Sequence, residues 1–145
     1  MYQTDLLSLA ENYNIKIVAD PFLKYDGVIE KKDDGTVVIT YNNTTHPNRQ
    51  RFTIAHELGH FISGHLNNST TMFRDATKSF SLDNFDIYEV EANKAGAEIL
   101  MPKDTLEHLI YNKGITDIDE LSSLLGVSSL ALHYRLKNLG MVWII

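Results

Sequence analysis

Residues 51–62 read Arg51-Phe52-Thr53-Ile54-Ala55-His56-Glu57-Leu58-Gly59-His60-Phe61-Ile62. The apolar positions 52, 54, 55, 58, 61 and 62 recur at helical spacing, and Pro47 suits the first turn of a helix running from about Asn48 to Ile62. Inside it, His56 and His60 are four residues apart. Four residues advance an α-helix by about 400°, so both imidazoles leave one face, one turn apart. That spacing lets two nitrogens meet one metal ion at about 2.0–2.1 Å. Glu57 lies beside such an ion rather than on it, where it can take a proton from a water held there. The structural alternative is a pair of core histidines satisfied by hydrogen bonds. A His-Glu-x-x-His run on an otherwise apolar helix favours the metal.

Two histidines leave zinc under-coordinated, since catalytic sites usually have three protein ligands and one open position. His65 is out of register for the third. The pattern H-E-x-x-H-x-x-G-x-x-H needs glycine at 63 and histidine at 66, where this chain has Ser63 and Leu66. A second predicted helix, from about Phe85 to Leu100 and stopped by Pro102, offers Glu89 and Glu91. Glu91, Lys94 and Glu98 form an i, i+3, i+7 polar stripe, a solvated face. Glu89, Ala92, Asn93, Gly96 and Leu100 occupy the other side, where small residues permit close approach to the first helix. Glu89 therefore points toward the metal and Glu91 toward water. Asn93, one turn beyond Glu89, is placed to hydrogen-bond a ligand from behind. Two histidines and a carboxylate also suit non-haem Fe(II) oxygenases, but those need open positions for O₂ rather than a base next to a ligand.

The remaining segments surround this pair of helices. Leu6, Leu7, Ala10 and Tyr13 mark a short opening helix, and Ile15 to Ala19 alternates as a strand would. Gly27–Glu30 and Thr36–Tyr41 read as a hairpin, with Asp34-Gly35 in the turn. Residues 63–84 are polar without sustained period and read as a long loop. A helix over 103–112 closes at Gly114. Asp117 with Glu120 forms a capping box for the next helix. Gly126-Val127-Ser128 is a tight turn whose serine caps a last helix ending at Gly140, and Met141–Ile145 could add a final strand. The expected fold class is α+β: a short N-terminal sheet packed on the histidine helix within residues 1–102, then a helical part over 103–145 in the same compact unit.

Composition narrows the chemistry. The chain has 145 residues and no cysteine, which excludes disulfide frameworks, thiol nucleophiles, iron–sulfur sites and cysteine-ligated zinc modules. A formal charge of −6 opposes binding to a polyphosphate. No signal peptide or membrane span is read, so the expectation is a soluble cytoplasmic protein without a membrane partner. Residues 121–136 have helix-turn-helix-like character, with an apolar helix, the Gly-Val-Ser turn and a second helix opened by serine. Arg135 and Lys137 are set against Asp117, Asp119 and Glu120, and few side chains there can bond base edges. Direct contact with nucleic acid is not expected.

Three ordered motifs carry a resemblance: Arg51 through His60, Glu89-Val90-Glu91-Ala92-Asn93, and Glu98-Ile99-Leu100-Met101-Pro102. Together they resemble the ImmA/IrrE family of zinc-peptidase-like proteins. Gly96 departs from the bulkier apolar residue more usual there, a matter of packing. The resemblance implies a gluzincin-like, zincin-type core holding Zn²⁺ on His56, His60 and Glu89, with Glu57 as general base. It also implies a regulatory endopeptidase that cleaves a cognate helix-turn-helix repressor of a mobile element or prophage. The alternatives are a zinc-binding regulator without proteolytic activity and a DNA-binding helix-turn-helix module. Thr36–Tyr41, if it is a sheet edge, could bind an extended substrate by strand addition. His65, Tyr88, His108, Tyr111 and His133 are all conceivable oxyanion donors and none is assigned; substrate-binding residues stay unassigned too.

Overall fold

The computed structural model describes residues 2–67, 71–75 and 86–141. The fold is α+β and resolves into two compact units, residues 5–96 and residues 97–145 with 1–4.

In the first unit, helix α1 (Leu6–Asn12) opens at Asp5, whose carboxylate accepts from the Ser8 backbone N–H at 3.1 Å. Strands β1 (Ile15–Ala19), β2 (Gly27–Lys31), β3 (Val37–Tyr41) and β4 (Thr71–Asp75) form one sheet in the order β1-β3-β2-β4. β1 runs parallel to β3, while β2 is antiparallel to both β3 and β4. The β2–β3 hairpin turns where Asp34-Gly35 predicts it: Gly35 takes φ +88°, which glycine adopts without a Cβ penalty. One face of the hairpin is buried. Ile29 and Ile39 are register partners, both fully inaccessible, and α2 (Pro47–Ile62) packs on that face. Pro47 stands in the first turn of α2, and the His46 ring accepts from the Asn48 N–H at 3.0 Å.

Two expectations are corrected here. Thr36–Tyr41 is not a sheet edge: β3 lies between β1 and β2, with both sides paired, so it has no free backbone groups for an added strand. Alternation along a strand reports its faces and says nothing of its neighbours, so it does not tell an edge strand from an inner one. The polar segment 63–84 is not loop throughout, because Thr71–Asp75 is a strand whose backbone pairs with Lys31–Gly27. A strand held by the ladder of its neighbour need not carry a hydrophobic period of its own. Residues 68–70 and 76–85 lie outside the described residues.

Helix α3 spans Ile87–Leu100. In the second unit, α4 (Lys103–Glu107) continues into a π-helical turn (His108–Asn112) and is followed by α5 (Ile118–Leu125) and α6 (Ser129–Asn138). Asp117 caps α5 by accepting from the Asp119 N–H at 3.1 Å, and Ser128 caps α6 by accepting from Ala131 at 3.1 Å. Gly126 ends α5 with φ +69°. Leu106, Leu109, Leu121, Leu125, Leu132 and Leu136 are fully buried and form the core. Arg135 donates its Nε to the Met101 carbonyl at 3.0 Å. The final strand expected over Met141–Ile145 falls, beyond Met141, outside the described residues. Among those described, no helix is long and apolar enough to cross a membrane.

Candidate metal centre

The centre depends on how closely α2 and α3 approach. A Cβ added at Gly59 would lie 2.4 Å from the Ala92 carbonyl oxygen, and one at Gly96 would lie 3.1 Å from the His56 backbone nitrogen. Glycine on each helix thus lets one backbone rest on the other, which is the small-residue face read from Ala92 and Gly96. Thr53 through His60 is a continuous buried run on α2. His56, Glu57 and His60 are wholly inaccessible, and Glu89 is 7% exposed.

Glu89 faces inward and meets both histidines. His56 Nε2 lies 3.0 Å from Glu89 Oε2, and His60 Nε2 lies 3.1 Å from Glu89 Oε1. Behind the rings, His56 Nδ1 is 2.8 Å from Asn93 Oδ1, the contact expected of Asn93. His60 Nδ1 is 2.9 Å from His65 Nδ1, and His65 Nε2 is 3.0 Å from Glu91 Oε1. An amide oxygen only accepts, so His56 Nδ1 carries a proton, and the neutral ring then has its lone pair on Nε2.

This donor set fits a cation. With lone pairs on Nε2, the imidazoles and the Glu89 carboxylate are acceptors facing acceptors at hydrogen-bond distance, an arrangement that a shared positive ion resolves. The edges of a zinc tetrahedron with bonds of 2.0–2.1 Å are about 3.3–3.4 Å, close to the observed spacing. Two imidazolium rings donating to one carboxylate would bury an excess positive charge at a cost of several kcal/mol. His56, Glu57 and His60 also offer ligand atoms within 4.8 Å of one another. Two carboxylates therefore border the place where an ion could sit. Glu89 presents one oxygen to each Nε2 atom, and Glu57 offers an oxygen within 4.8 Å of both rings' ligand atoms. A cleft of about 460 Å³ lined by Leu6, Tyr41, Gln50 and Arg51 is a separate feature at the start of α2, and His56, Glu57, His60 and Glu89 do not line it.

Four positions around the centre escaped the sequence reading. Gly27 on β2 lies against Glu57. Phe73 on β4 stacks on His60 with centroids 4.1 Å apart and planes 15° from parallel. His65, excluded as a ligand by register, stands behind one. Glu91 is half exposed, as its polar stripe predicts, yet accepts from His65. Only His65, five residues beyond His60, left any trace in local sequence. Of the conceivable oxyanion donors, Tyr88 packs edge-on against His65 at 4.8 Å, whereas His108, Tyr111 and His133 belong to the second unit.

A buried His-Glu-x-x-His pair opposed by a carboxylate from a second helix is the arrangement of a metallopeptidase-type core. The family described as the IrrE N-terminal-like domain, peptidase family M78, matches residues 10–137, and this chain belongs to it. It is 34% identical over 103 residues to the radiation response metalloprotease IrrE of Deinococcus radiodurans, covering 70% of this chain and 31% of that protein. It is 30% identical over 104 residues to the radiation response metalloprotease IrrE of Deinococcus deserti, covering 70% of this chain and 36% of that protein. The chain thus matches about a third of the length of these relatives.

Proposed function

We propose that this protein is a cytoplasmic zinc metalloendopeptidase of the gluzincin type. In this reading His56, His60 and Glu89 hold the metal, and its protein substrate is a cognate helix-turn-helix transcriptional repressor. The observation that carries the metal and its ligands is the convergence of His56 Nε2 and His60 Nε2 on the two oxygens of Glu89 at 3.0 and 3.1 Å. Zinc, when bound, supplies Lewis acidity that makes water deprotonatable near neutral pH and polarises a peptide carbonyl. Glu57 accepts the proton of the attacking water at its carboxylate and delivers it to the leaving amine. Asn93 keeps His56 in the ligating tautomer. Burial of Glu57 and both histidines keeps bulk water from competing with the substrate.

The substrate would lie along the sheet. β4 is an edge strand among the described residues, and Phe73 at its centre touches His60. A peptide added beside β4 would therefore run past the metal ligands, and backbone pairing would suit a polypeptide better than a small molecule. The resemblance to regulatory members of the family supports a repressor as that polypeptide.

The test is to incubate the purified protein with the repressor encoded beside its gene, with and without a chelator, and follow the products by mass spectrometry. A single zinc-dependent cut that Glu57→Gln slows by about 10²–10⁴-fold without loss of zinc is the expected result. Cleavage undiminished in Glu57→Gln would remove the general-base role. A stable complex that is never cut would leave a zinc-binding regulator instead.

A further inference from the structure

The two ligand histidines are held from behind by different devices. His56 rests on one amide, Asn93. His60 rests on a two-step chain, His60 Nδ1 to His65 Nδ1 at 2.9 Å and His65 Nε2 to Glu91 Oε1 at 3.0 Å. We propose that His65 and Glu91 are positioning residues for the metal site, with Glu91 at the half-exposed end of the chain setting the tautomer of His60. The inference rests on the metal-site reading above and deepens it.

The argument runs inward from the surface. An ionised carboxylate only accepts, so His65 must present Nε2–H to Glu91. A neutral imidazole with its proton on Nε2 has a lone pair on Nδ1, which makes His65 Nδ1 the acceptor for His60. His60 must then carry its proton on Nδ1, which leaves the Nε2 lone pair directed at the place shared with Glu89. One carboxylate that cannot donate thus decides, two rings away, which nitrogen of His60 can bind a metal. Hydrogen bonding that orients a metal-binding histidine typically changes metal affinity by about 10–100-fold when removed.

Packing holds the chain in line. Phe73 stacks on the His60 ring, and Tyr88 stands edge-on to His65 at 79°. The His65 side chain is 4% exposed, against 49% for Glu91, so the middle of the chain is shielded from water while its end is not. Neither residue touches the reacting atoms, and the effect passes through His60 alone.

Zinc affinity, measured by competition with a chromophoric chelator, is one readout. The other is the ring-nitrogen chemical shifts of His60 in metal-free protein carrying Glu89→Ala, which report its tautomer once the carboxylate facing Nε2 at 3.1 Å is gone. With His65 and Glu91 intact, that background should show His60 protonated at Nδ1. His65→Leu should lower zinc affinity about 10–100-fold and release His60 to the commoner Nε2–H form. His65→Gln, whose amide can both accept from His60 and donate to Glu91, should recover most of the loss. Glu91→Ala changes a half-exposed side chain and keeps the fold, so it isolates the chain's end and should lower affinity severalfold. Zinc affinity and the His60 tautomer both unchanged in His65→Leu and Glu91→Ala would overturn the proposal. Failure of the unsubstituted chain to bind zinc would instead overturn the metal-site reading. The tautomer measurement would still decide whether the chain sets His60.

Discussion

Gly27 on β2 stands so close to Glu57 on α2 that a Cβ at residue 27 would fall 2.6 Å from Glu57 Oε2 and 2.4 Å from Thr53 Cγ2. The general base of the proposed reaction therefore lies against bare backbone of the sheet, and only glycine leaves room for it. Gly27→Ala must push the carboxylate or the strand aside. Overpacking of this kind costs about 1–3 kcal/mol, and displacing a catalytic group by about 1 Å can cost 10²-fold in rate. The expected phenotype is a folded, zinc-binding protein with cleavage reduced by about two orders of magnitude. Thermal denaturation, metal titration and the repressor assay on one preparation check it; wild-type turnover would show that Glu57 is not held by this contact.

Gly59→Ala sets two effects against each other. Alanine is better than glycine inside a helix by about 1 kcal/mol, so propensity alone predicts stabilisation. The added methyl, however, would meet the backbone oxygen of Ala92 at 2.4 Å, and a carbonyl within α3 cannot turn away. We expect the clash to win, with a net loss of about 1–3 kcal/mol and weaker zinc binding as α3 carries Glu89 away from the histidines. Urea unfolding with and without metal measures both.

Metal should stabilise the first unit by mass action. Zinc at a hundred times its dissociation constant adds about 2.7 kcal/mol if it binds only the folded state. For a chain of this size that corresponds to a rise in Tm of roughly 5–10 °C. A chelator should reverse the shift, and His56→Ala and Glu89→Ala should abolish it. An undiminished shift in Glu89→Ala would transfer the third ligand position to Glu57, the other carboxylate at the centre.

Duplex DNA should not bind through α5 and α6. Leu132 and Leu136 are fully buried, and the Arg135 guanidinium is held by the Met101 carbonyl. Burial also lowers the Arg135 pKa from its ordinary value, an effect Glu98 partly offsets. Arg135 is thus drawn into the second unit, which leaves Lys137 as the exposed lysine of α6. Fluorescence anisotropy of a labelled duplex should stay flat at low salt. A rise that disappears between 50 and 200 mM salt, the range over which phosphate contacts lose about 10³–10⁵ in affinity, would identify a DNA-binding face instead.

Local sequence determined the elements and most of the centre. His56, Glu57 and His60 are legible because helical periodicity fixes which side chains share a face, and Glu89 is legible because Ala92 and Gly96 mark the face that can approach another helix. Asn93 follows from the same geometry. The hairpin, the proline at the start of α2 and the serine cap of α6 are likewise local, each requiring only a few adjacent residues. The tertiary structure alone decided the order of the strands, which placed β3 inside the sheet and Thr71–Asp75 at its edge. It alone brought Gly27 against Glu57, Phe73 onto His60, and Glu91 behind His65. Those contacts join residues 30, 13 and 26 positions apart, beyond the reach of any helical or strand period. Periodicity reports which way a side chain points from its own backbone, but what stands opposite it is settled only when the whole chain has packed.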